Sequence, residues 1–125
     1  MNESISEAKH KEIEATFAKA HIASYEQQLG SSNFNKELYG NGPVTRPGVK
    51  YTIIEGRYDD TVVPFTNAFL HEPGVKNILV QDTCRNDHAS HVNFTYDVNV
   101  YQMAVNALDP DHAQPVTCVP QPFIG

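Results

Sequence analysis

Two short runs, "VKYTIIEG" and "VKNILVQD", constrain this chain more than any other feature. The first, from Val49 to Ile54, combines β-branched and aromatic residues and stops at a glycine. The second, from Val75 to Val80, is largely apolar. Both read as β-strands. A strand without polar alternation is usually buried on both faces, as in a parallel sheet. Helical patterns lie around them, in the order helix, strand, helix or turn, strand, helix. That alternation predicts an α/β chain built from βαβ units. Two strands are few for a free-standing α/β domain.

The flanking segments complete the pattern. Residues from about Ser6 to Leu29 read as a helix, with Ile13, Phe17, Ala20 and Ala23 or Ser24 near one face. Gly30 breaks it, and a short helix is expected through Leu38. "YGNGPVTRPG" is a loop. "RYDDTVVPF" is a turn ended by Pro64, and "TNAFLHEPG" a brief helix or turn. "DVNVYQMAVNALDP" reads as a helix capped by Asp97 and stopped by Pro110, with Val100, Tyr101, Ala104 and Leu108 as its buried stripe. The tail "HAQPVTCVPQPFIG" carries too many prolines for regular helix. Tyr51, Ile53, Ile78 and Val80 are expected in the core.

Composition narrows the function classes. The chain has 125 residues, of which 40% are hydrophobic, enough for the core of one domain. Its formal charge of -6 and pI near 5.4 exclude the basic face of a nucleic-acid binder and a polybasic membrane surface. Neutral or apolar partners fit better. No apolar run approaches the roughly 18 residues of a membrane span, and the charged N-terminus is not a signal peptide. Two cysteines, Cys84 and Cys118, allow one bridge or two free thiols.

In parallel α/β sheets, functional residues gather past the carboxyl ends of the strands. Asp59 and Asp60 follow the first strand, and Asp87, His88 and His91 follow the second. An acid after one strand and a histidine after the next is the chain order of the second and third triad members in α/β-hydrolases. There the acid holds the imidazole tautomer, and the histidine takes and returns the proton of a serine hydroxyl. A metal site on Asp87, His88 and His91 is the competing reading, although a structural zinc needs four ligands. His10, His21, His71 and His112 read as solvated surface residues. Phe94 reads as core or as the lining of an acyl pocket. "NFT" at Asn93 is a glycosylation sequon, but a glycan so near the base would block the site.

At these residues the chain resembles the C-terminal part of secreted actinobacterial-type triacylglycerol lipases, the class 2 lipases of the α/β-hydrolase superfamily. The segments "QQLGSSNFNKEL", "GVKYTIIEGRYDDTVVPFTNAFL", "VKNILVQDTCRNDHASHVNFTYD", "NALDP" and "PVTCVP" carry the resemblance in register, from about Ser24 to the end. It implies a single partial domain over 1–125, with a helical segment and loop in 1–45 and the acid- and histidine-bearing strands, last helix and tail in 46–125. It places the triad acid on Asp59, the base on His91, and a disulfide between Cys84 and Cys118. The chain departs from the family at His88, where an apolar residue is usual, and at Asp60, a second acid directly after the first. His88 therefore stays an alternative base and Asp60 an alternative acid.

The resemblance implies no cofactor and no metal, and a secreted enzyme that acts on lipid esters, with a lipid–water interface as one place of action. The G-x-S-x-G nucleophile elbow of such hydrolases does not occur in this sequence. "GSSNF" at Gly30 lacks the second glycine and follows a helix rather than a strand. The oxyanion-hole segment and the central strands are missing as well. The expectation is thus the distal half of a lipase, with Met1 internal or a spurious start. Such a chain alone is expected to be inactive, and unstable, aggregated or dimeric for want of its inner strands. The alternative is a non-catalytic α/β module that binds a partner or an apolar ligand.

Overall fold

A computed structural model describes residues 11–12, 15–16, 19–20, 23–28, 32–40 and 42–124. Two compact units form, one within Glu3–Val49 and the other within Lys50–Gly125. The first holds helices α1 (Ala23–Gln28) and α2 (Asn33–Tyr39). Ser32 caps α2 by accepting the Asn35 N–H at 3.1 Å. Gly40, at φ 57°, closes it by donating its N–H to the Lys36 carbonyl at 2.8 Å. Of the apolar face expected on the first helix, Ile13 and Phe17 lie outside the described residues, and Ala20, Ala23 and Ser24 are exposed.

The second unit holds the sheet. Strands β1 (Tyr51–Glu55) and β2 (Val75–Leu79) pair in parallel, with Tyr51 opposite Val75 and Glu55 opposite Leu79. The register brings both carboxyl ends level. The crossover contains a 3-10 turn, Phe65–Ala68, and Asn77 holds it by exchanging two hydrogen bonds with the Leu70 backbone, at 3.0 and 3.2 Å. This small parallel sheet with helices is a mixed α/β arrangement.

Three expectations are corrected. Val80 does not extend β2 but opens a single helical turn, α3 (Val80–Thr83), closed by the Cys84 N–H on the Val80 carbonyl at 2.8 Å. β2 is half-buried rather than buried on both faces, because only β1 pairs with it among the described residues. The stripe on α4 (Val98–Leu108) is also rotated. Val100 and Ala104 are half-buried, but Tyr101 is 69% and Leu108 87% exposed, while Asn99 and Met103 are buried. The Asp97 cap and the anchoring of Asn99 set that phase, and apolarity alone could not reveal it.

The apolar core is small. Val80, Cys84 and Met103 form its buried centre, against which Ile54, Ile78, Phe94, Val100 and Val116 pack. α4 lies against β1. Tyr51 and Ile53 are half-buried. Most buried side chains among the described residues are polar.

Candidate active site

The glycine that ends β1 fixes the first loop. An ideal β-carbon on Gly56 would lie 2.4 Å from Phe94 Cζ, so the ring occupies the space a side chain would take. The chain turns there, and the Asp59 N–H reaches back to the Gly56 carbonyl at 3.2 Å. The turn buries the Asp59 carboxylate and loads it. Its Oδ1 accepts the Thr61 and Val62 N–H groups at 2.8 and 2.6 Å. Its Oδ2 meets His91 Nδ1 at 2.7 Å.

Burial acts most strongly on Asp59 and raises its pKa, but the His91 bond and the Val62 and Thr61 N–H groups outweigh it. The carboxyl is held below its ordinary value of 3.8 and is therefore ionised. An ionised carboxylate only accepts, so Nδ1 carries the proton of a neutral His91. The opposite nitrogen, Nε2, is then a lone-pair base. The exposures fit that division, with 2% for the Asp59 side chain and 46% for His91.

The two candidate acids separate in role. Asp60 is exposed, and its Oδ1 accepts the His91 backbone N–H at 3.2 Å. It steadies the backbone of His91, whereas Asp59 grips the ring. His88 takes a different place from His91. Its ring packs edge-on against Tyr58, with centroids 4.6 Å apart, and among the described residues no carboxylate hydrogen-bonds it.

The structure does not gather Asp87, His88 and His91 into one ligand set. Asp87 is buried and spent, with Oδ1 on the Ala89 N–H at 3.0 Å and Oδ2 on Asn99 Nδ2 at 2.8 Å. No group of three or more His, Cys, Asp or Glu side chains is placed to hold a metal among the described residues. The Asn93 sequon is occupied by structure: the amide is buried, pairs with Ser90 Oγ and donates to the Tyr96 hydroxyl at 3.0 Å. Phe94 packs on the core cluster. His71 and His112 are exposed, and His112 pairs with Asp109 at 3.0 Å. His10 and His21 lie outside the described residues.

Several supporting residues escaped the sequence reading. Gln81, buried at the start of α3, accepts the Arg57 N–H at 2.8 Å and donates to the Asp87 carbonyl at 2.9 Å. One amide thus ties the acid loop to the histidine loop. A polar residue closing the apolar run "NILV" was the available signal. Glu55, the last residue of β1, is buried beside Asp59. The tail braces the far side. Cys84 and Cys118 are joined, with Cα atoms 5.3 Å apart. The His88 N–H donates to the Gln121 carbonyl at 2.9 Å, the Gln121 N–H to the Asn86 carbonyl at 3.3 Å, and Ser90 Oγ to the Ile124 carbonyl. Asn99 pairs with both backbone groups of Val119, at 2.8 and 2.9 Å. The sequence allowed the bridge, but these tail contacts had no pattern to announce them. Compared with protein-family models and with curated proteins, the chain matches none.

Proposed function

We propose that this chain supplies the acid and the base of a secreted carboxylic ester hydrolase of the triacylglycerol-lipase type, as the distal part of an α/β-hydrolase fold. The serine nucleophile and the oxyanion hole come from a segment outside this sequence. The observation that carries the reading is the 2.7 Å pairing of a buried, ionised Asp59 with the Nδ1 of a half-exposed His91. In that role His91 Nε2 takes the serine proton as the serine oxygen attacks the ester carbonyl. Asp59 stabilises the imidazolium, which then protonates the departing alcohol, and water repeats the cycle on the acyl-enzyme. The disulfide agrees with an oxidising compartment.

An antibody against "HEPGVKNILVQD" can isolate the native species for intact mass and for labelling with a fluorophosphonate. The expected product is a labelled protein near twice 13.9 kDa or larger. An unlabelled species of 13.9 kDa would sink the reading. One observation favours a second reading, a non-catalytic binding module. Val98, Tyr101, Val105 and Leu108 recur at helical spacing along α4 and are all exposed, as a partner-binding face would be.

A further inference from the structure

Asp59 shares the end of β1 with a second buried acid. Glu55 is 6% exposed, and its Oε1 accepts the Gly56 N–H at 2.7 Å. The turn that carries Asp59 back to Gly56 leaves its carboxyl next to that of Glu55, where its charge and side chain act on the Glu55 carboxyl. Asp59 has both oxygens engaged as acceptors, by Thr61, Val62 and His91. It has no proton to donate, so a bond between the two acids must use a proton on Glu55. Two adjacent buried carboxylates also disfavour each other's charge. Burial is the largest influence on Glu55 and, with the Asp59 charge, outweighs the Gly56 N–H and His91, so that its pKa is pushed up to about 7.

We propose that Glu55, carrying its proton, is a positioning residue for the acid–base pair. It donates to the Asp59 carboxylate, which keeps Asp59 ionised and its Oδ2 aimed at His91 Nδ1. The benefit to catalysis rests on the ester-hydrolase reading, while the hydrogen bond itself does not. Its role differs from that of Asp60: Glu55 acts on the carboxylate that grips the ring, and Asp60 on the backbone of the base.

The test is NMR of the full 125-residue chain. With 13C-labelled glutamate at about pH 5.5, Glu55 Cδ should report a neutral acid where ordinary glutamates are ionised. An ionised Glu55 under those conditions overturns the proposal. In Glu55→Gln, which keeps a neutral donor of the same shape, the downfield His91 Nδ1–H resonance should persist. In Glu55→Leu, which keeps bulk without a donor, that resonance should be lost to solvent exchange or move upfield. A folded pair of variants that behave alike overturns the proposal. Should Glu55→Leu fail to fold, the wild-type carbon shift and Glu55→Gln decide. These resonances are read without substrate, so failure of the hydrolase reading leaves them unmoved. An active native enzyme with an ionised Glu55 would remove the positioning role alone.

Discussion

His91 and Asp59 lie 32 residues apart in the chain, yet their side chains meet at 2.7 Å. Replacing Asp59 with Asn separates charge from shape. The amide can present its N–H to Nδ1 and so favour the wrong tautomer. We expect the Nδ1–H signal of His91 to vanish in Asp59→Asn, as read by 15N NMR, and, under the proposed ester-hydrolase function, the activity of the native species to fall by about 10³–10⁴-fold. Stability follows the same group. The folded-state pKa of Asp59 lies below its ordinary 3.8, so its contribution is present above that value and is lost as pH falls through the folded-state value. Urea midpoints of wild type and Asp59→Asn should therefore converge below about pH 4. Midpoints that stay parallel into acid would mean that the Asp59 charge adds nothing to the fold.

Helix α4 shows how polar anchors override apolar pattern at the scale of an element. Asp97 Oδ1 caps it by accepting the Asn99 and Val100 N–H groups at 2.7 and 3.4 Å. Among the described residues its buried Oδ2 has no donor, and the Asp87 carboxyl lies beside Asp97. Burial, reinforced by Asp87 and opposed by the Asn99 and Val100 N–H groups, raises Asp97 above its ordinary value. A raised acid stabilises fully below its unfolded pKa, and that contribution is lost as pH rises through the folded-state value. Asp97→Asn keeps the cap and offers a permanent donor toward Asp87. It should be at least as stable as wild type at neutral pH, with a flatter pH dependence, while Asp97→Ala should lose about 1 kcal/mol with the cap. Equal damage from both variants in denaturant titrations would show that the Asp97 charge does not burden the fold.

The bridge is the other device at this scale. It joins positions 34 apart in the chain, the start of the histidine loop and the tail. Chain entropy assigns a closed loop of that span roughly 3–4 kcal/mol. Removing it as Cys84→Ser with Cys118→Ser should lower the melting temperature by roughly 15 °C or more. It should also speed amide exchange in residues 84–91. A shift of only a few degrees would show that the backbone bonds of the tail hold the loop without it.

For the whole molecule, the distribution of burial is the main fact. Among the described residues the sheet has two strands, mostly half-buried, and the apolar stripe on α4 is open. A parallel sheet is ordinarily covered on both faces and paired on its flanks. We expect the isolated chain to sediment as a dimer or larger species at micromolar concentration. Under the proposed function, addition of a segment that supplies further strands should give a one-to-one complex. A stable monomer across that range would show that the open strand edges need no partner.

How much of this was legible beforehand follows from range. Local signals named the two strands, the Gly56 stop, the Asp97 cap and the loops that carry acid and histidine, because propensity and capping act within a few residues. The lipase resemblance added the pairing of Asp59 with His91 and of Cys84 with Cys118. The sequence by itself determined which residue types stand at the strand ends. Only the tertiary structure decided that Gln81 would strap the loops together, that Asn99 and not Tyr101 would face inward, and that Glu55 would lie against Asp59. Each depends on desolvation and on partners far along the chain, and a polar side chain is worth burying only where the fold has brought its partner.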